Sequence, residues 1–184
     1  MSRYLAICAT ASICALLATA SGAQNVFTLS SPEIMDRGLL PADLKCTRDG
    51  GDGVSPPLAW SDIPAGTDSL ALIMHHHPRG AVAGRDAPSQ YWLLWNVPAD
   101  TNELGRANPY SIGDEGADKD ERSTGYTPPC SPAGSVHEDT ITVYALDGPL
   151  TSLPENDDIS VDWEMLTAAM AGKVITSSQI RFKN

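Results

Sequence analysis

A chain of 184 residues with a formal net charge of −11, from 12 basic and 23 acidic side chains, can bury one sizeable core. Such an acidic surface repels phosphate backbones and anionic lipid at long range, which argues against nonspecific nucleic-acid binding; solubility alone accounts for the charge. The 14 prolines and 15 glycines cut the sequence into short pieces, and no repeat or coiled-coil period runs through it.

The first element reads as an export signal. Arg3 supplies a positive end, residues 5–20 are apolar and uncharged, and Ser21-Gly22-Ala23 offers small residues for cleavage before Gln24. The apolar run is short of the ~20 residues that span a bilayer. The expected division is therefore residues 1–23 as signal peptide and 24–184 as a single domain, exported to a periplasm or the exterior. No later stretch is apolar enough to span a membrane in the mature chain. Cys8 and Cys14 leave with the signal, and neither is placed for lipid modification. Cys46 and Cys130 remain, and an oxidising compartment favours their pairing over two buried thiols.

The elements that follow are mostly strand-like. Phe27-Thr28-Leu29 is a weak strand candidate. Leu70-Ala71-Leu72-Ile73-Met74 and Trp92-Leu93-Leu94-Trp95-Asn96-Val97 are continuous apolar runs of a length suited to buried strands. Residues 105–123 are polar and without period, and read as a long surface loop. Thr140-Ile141-Thr142-Val143-Tyr144-Ala145 alternates and is rich in branched side chains. A helix is expected where Trp163, Leu166 and Met170 share one face, with Ser160 or Asp162 at its start and Gly172 at its end. Val174-Ile175-Thr176 is a last, weaker strand. The sum is a mainly β fold with one or two small helices near the C-terminus.

Catalytic signatures are missing: there is no Gly-x-Ser-x-Gly elbow and no phosphate-cradling Gly-Lys-Ser/Thr loop. No catalytic residue and no cofactor is assigned. The histidines hold the chemical interest. His75, His76 and His77 follow a buried strand, and on a continuing strand His75 and His77 would share a face. Such a pair can share a divalent metal, but a good zinc or copper site would need His137 or Asp86 as well. The proline-rich turn of Pro128-Pro129-Cys130-Ser131-Pro132 suits a rigid rim, and His137 stands between it and the alternating strand.

Several short motifs recur in a telling order. Ser55-Pro56-Pro57-Leu58 leads to Trp60, and Tyr91-Trp92 leads through Asn96 to Pro98. Gly125-Tyr126 precedes Pro129-Cys130-Ser131-Pro132, His137 and Val143-Tyr144-Ala145-Leu146-Asp147. Together they resemble the phosphatidylethanolamine-binding protein family in its bacterial Raf-kinase-inhibitor-like branch, across residues 27–174. Cys46-Thr47-Arg48-Asp49-Gly50 is similar to that branch's Thr-Cys-Asp-Gly stretch with an insertion. The resemblance implies two antiparallel β-sheets with small helices, and a surface pocket for phosphate-like or other small anions. It also implies a binding or regulatory protein, such as an inhibitor of a protein partner, in place of an enzyme.

Matched residue by residue, the resemblance implies a ligand site of His76, His77, Arg79, Tyr91, Gly125, Tyr126, Pro129, Pro132 and His137. His137 keeps the family's second histidine, and Ser131 stands where a proline is usual. Tyr91 replaces the first histidine, His76-His77-Pro78-Arg79 replaces an Asp-Pro-Asp segment, and Asp139 replaces an aromatic residue. Histidine and arginine donate where aspartate accepts, so the altered pocket either favours small anions or has lost its ligand. A histidine-based divalent-metal protein on the same fold is the alternative, and a hydrolase with an unrecognised nucleophile a third.

Overall fold

The computed structural model describes residues 25–132 and 134–184; the expected signal peptide, residues 1–23, lies outside them. Among the described residues, nine strands run in chain order: β1 (Thr28–Ser30), β2 (Gly38–Leu39), β3 (Leu58–Ser61), β4 (Ser69–His76), β5 (Ser89–Pro98), β6 (Glu103–Leu104), β7 (Asp114–Glu115), β8 (Glu138–Leu146) and β9 (Val174–Lys183). They form a six-stranded sheet ordered β2-β9-β8-β4-β5-β7 and a three-stranded sheet ordered β1-β3-β6. All pairings are antiparallel except the short β2–β9 contact. The mainly β fold read from the sequence is the one observed. An α-helix, α1 (Trp163–Met170), precedes β9, and 3-10 turns at Ala42–Leu44 and Thr47–Asp49 precede β3. Among the described residues, no helix is long and apolar enough to cross a membrane.

The continuous apolar runs follow from where their strands lie. One core fills the space between the sheets: Leu29, Leu58 and Trp60 meet Leu72, Met74, Trp92, Leu94, Ile141, Val143 and Phe182. A second core covers the outer face of the large sheet, where Ala71, Ile73, Leu93 and Trp95 pack on Leu166 and Met170 of α1. Strands β4 and β5 are therefore buried on both faces and cannot alternate polar with apolar. Both central tryptophans are fully buried with their N–H groups satisfied. Trp92 Nε1 donates to Glu115 Oε1 at 2.7 Å, and Trp95 Nε1 to the Pro154 carbonyl at 3.1 Å.

Local chemistry fixes the remaining pieces. Asp162, not Ser160, caps α1, its Oδ1 accepting from Met165 N at 2.8 Å. Strand β5 carries two irregularities against β4, between the partners of Leu70 and Leu72 and between those of Met74 and His75. The first contains Asn96 in the left-handed region at φ 54, a conformation that asparagine tolerates; its Nδ2 donates to Asp114 Oδ2 at 2.7 Å. The second inserts Tyr91 between Gln90, which pairs with His75, and Trp92, which pairs with Met74.

The loop of residues 105–123 is anchored more firmly than its composition suggests. Arg106 bridges Glu33, Asp43 and Asp52, and Ala117 is fully buried. Cys46 and Cys130 form a disulfide with Cα atoms 5.3 Å apart across a sequence separation of 84. Closing so long a loop disfavours the unfolded chain by about 4–5 kcal/mol on the loop-entropy account. Beside it the turn is tight: a Cβ on Gly51 would lie 1.9 Å from the Lys45 carbonyl oxygen, so only glycine fits.

Candidate functional site

Strand β4 delivers the histidines to the end of the large sheet. His75 pairs with Gln90 and Thr140, and His76 with Ser89 and Asp139. From the other side, reciprocal backbone bonds of 3.0 Å between His137 and Asn184 fix the start of β8 against the residue that follows β9. The result is a cavity of about 330 Å³ lined by His75, His76, His77, Arg79, Val136, His137, Glu138 and Thr140. All four histidines of the chain converge there.

Their packing is specific. The rings of His76 and His137 stack face to face, with centroids 4.4 Å apart and planes 6° from parallel. His75 meets His77 and Trp163 edge-on, at 5.2 and 5.0 Å. His76 Nδ1 lies 3.3 Å from the Glu138 carbonyl and donates to it when the ring carries its proton there. Burial pushes His75 down to about 4, helped by repulsion from His77, His76 and Arg181, so this ring is neutral at pH 7 and its Nδ1 has no partner. Burial also lowers His76, against the opposing pull of the Glu138 carbonyl.

Strand alternation divides the residues that the family pattern groups together. His76, His77, Arg79 and His137 line the one cavity. Tyr91 does not: as the inserted residue of β5 it turns into the inter-sheet core and is only 8% exposed. Gly125 and Tyr126 border a separate cavity of about 290 Å³ with Ser55, Asn108, Glu115 and Asp157. Pro132 borders a third, of about 520 Å³, with Lys45 and Arg48. Pro129 is buried behind the disulfide, its carbonyl accepting from Cys46 N at 3.1 Å. His75, Glu138 and Thr140 join the cavity without belonging to the family pattern. The i, i+2 spacing of His75 and His77 is the signal that could have found the first of them.

Asp139 shares the inter-sheet face with Ile141 and Val143, opposite to Glu138 and Thr140. It is 1% exposed, and its Oδ2 has no hydrogen-bond partner. Burial raises this carboxyl to about 7. Tyr91 is pushed up to about 12 by burial, with Asp139 and Asp120 adding to the shift. The Tyr126 phenol is raised in the same way, by burial and then by Asp139. As for metals, Cys46, Asp49 and Cys130 are the one group among the described residues whose potential ligand atoms gather within 4.8 Å, and both of those sulfurs are spent in the disulfide.

A model of the phosphatidylethanolamine-binding protein family matches residues 30–183. The chain belongs to the phosphatidylethanolamine-binding protein family. A UPF0098 protein of Methanothermobacter thermautotrophicus is 32% identical over 152 residues, covering 79% of this chain and 89% of that one. The UPF0098 protein YbhB of Escherichia coli is 34% identical over 106 residues, 53% of this chain and 62% of that one. The crystal structure of a phosphatidylethanolamine-binding protein homologue from Chlamydia trachomatis superposes with a TM-score of 0.72 at 28% identity, covering 87% of this chain and 97% of that one. YbcL of Escherichia coli, at 21% identity and a TM-score of 0.71 over 85% and 96% of the two chains, shares the fold. Within this phosphatidylethanolamine-binding protein scaffold, a buried carboxyl occupies the position two residues beyond His137.

That carboxyl makes stability depend on pH in an unusual direction. The unfolded chain releases the Asp139 proton near pH 4, whereas the folded chain keeps it to about pH 7. The contribution of Asp139 to stability therefore falls as pH rises through that window. Asp139→Asn is expected to be more stable than the parent at pH 8, by an amount on the order of 4 kcal/mol at most, with the gain shrinking toward pH 4. Urea denaturation of both proteins at the two pH values measures this. An equal difference at both would show that Asp139 ionises freely in the fold.

Proposed function

We propose that this is an exported binding protein whose histidine-lined cavity takes a small phosphate-like anion and through it regulates a protein partner. The carrying observation is the convergence of all four histidines and Arg79 on one cavity. Arg79 is exposed at its rim, and a guanidinium is a cation suited to binding phosphate-like anions. His75, neutral at pH 7, still offers an N–H donor. Charge attraction at neutral pH thus rests first on Arg79, and the imidazoles supply directed hydrogen bonds. A carboxylate-bearing rim at Glu138 limits the affinity and disfavours large polyanions.

Calorimetric titration with inorganic phosphate at pH 7 is the test, with zinc added to a second sample. Saturable phosphate binding that weakens at least tenfold in Arg79→Gln, and less in His75→Ala, is the expected result. No phosphate binding at millimolar concentration, beside tight stoichiometric zinc uptake, would replace this reading with the metal one.

Export is part of the same proposal. Its support is the charged, apolar and small-residue order of residues 3–23, together with a disulfide suited to an oxidising compartment. N-terminal sequencing of the protein from its producing cell should begin near Gln24. An intact Met1 on membrane-bound material would overturn it.

A further inference from the structure

Asp139 is a buried carboxyl adjoining the site, 1% exposed, and the proposed anion binding gives it no role. Its chain neighbours Glu138 and Thr140 and its cross-strand partner His76 all line the histidine cavity. Its own side chain takes the face opposite to Glu138 and Thr140, toward the inter-sheet layer, and shares that face with His76. It therefore stands next to His76, which itself lines the cavity. What faces it there is short of positive charge. From β4 comes His76, stacked on His137. Tyr91 comes from β5 and Tyr126 from the turn before β8, and both phenols sense the carboxyl. Asp120 also acts on Tyr91, while Arg106 is felt at Tyr126. On β9 the paired residue is Phe182; Arg181 and Lys183 flank it and face the other way. Oδ2 receives no hydrogen bond from any of these groups.

We infer that anion capture at this cavity is proton-linked through Asp139: the site binds its anion with Asp139 neutral, and loses affinity when that carboxyl ionises. The inference rests on the anion reading above. Its physical basis is that an ionised Asp139 would place a buried negative charge next to the cavity-lining His76, in low dielectric and with no hydrogen bond to Oδ2 to offset it. A proton on the unpartnered oxygen removes that repulsion. Burial already holds the carboxyl at about 7, so the change falls within the range a cell compartment can span. Protonation of His76 would act in the same direction, since an imidazolium adds charge attraction to an anion. The contribution of Asp139 must therefore be isolated by mutation.

Inorganic sulfate is the suitable probe, because its charge is constant between pH 6 and 8.5. Sulfate affinity of the parent protein is expected to fall about tenfold over that range. Asp139→Asn should bind within about twofold of the parent at pH 6, should lose most of the fall, and should bind more tightly than the parent at pH 8.5. In parallel, carboxyl ¹³C NMR of the parent should show one resonance, absent from Asp139→Asn, whose titration midpoint rises by about one pH unit when sulfate is added. Sulfate binding with the same pH dependence in both proteins, or a midpoint unmoved by sulfate, would overturn the proton linkage and leave the anion reading standing. Absence of sulfate binding in both proteins at pH 6 would overturn the two together.

Discussion

Strand β4 lies between β5 and β8 with seven of its eight residues buried, and its register against both neighbours fixes the positions of His75 and His76 at the site. A slip of one residue would exchange its two faces. Met74 and Leu72 would leave the inter-sheet core for the helix-covered side, and His76 would lose its place beside Asp139. Burial on both faces makes that exchange costly: a fully buried aliphatic side chain contributes about 1.5–3 kcal/mol, and both cores would be disrupted at once. The Trp92–Glu115 and Trp95–Pro154 hydrogen bonds pin β5 in the same way. The imidazoles stand where β4 runs out from between its covers, at His75 and His76, with His77 just beyond.

The same end of the sheet holds the unsatisfied hydrogen-bonding capacity of the fold. Among the described residues, the buried side-chain atoms without a partner are His75 Nδ1 and Asp139 Oδ2. Buried polar atoms are paired in the great majority of cases, because leaving one unpaired costs about 1–3 kcal/mol. That both orphans flank the histidine cavity, one on each face of the sheet, is more consistent with a site shaped for a ligand and a proton than with a worn surface. The cost is local and is offset by two continuous cores and a disulfide elsewhere.

Much of this was legible in the sequence where burial writes a simple pattern. The apolar runs at residues 70–74 and 92–97 and the alternation at 140–145 became the cores of β4, β5 and β8, and the Trp163, Leu166, Met170 spacing became α1. The two-residue strands β2, β6 and β7 carried no local signal, since pairing with distant segments alone makes them strands. The site was legible in part. Family motifs pointed to His76, His77, Arg79 and His137, which do share a cavity. They also pointed to Tyr91, which the extra residue in β5 turns into the core, and to Gly125, Tyr126 and Pro132, which border other cavities. An irregularity of one residue in a strand pairing leaves no trace in composition or period, yet it decides which face a side chain takes.

The central claim is that one cavity, built from all four histidines and Arg79, is an anion site. A crystal structure of the mature protein grown in sulfate at pH 6 examines it most directly. The account predicts a tetrahedral anion inside the cavity, within hydrogen-bonding distance of Arg79 and at least two of His75, His76, His77 and His137, and clear of neighbouring molecules. A cavity holding only water at saturating sulfate, or a metal ion bound by the imidazoles in place of an anion, would contradict it.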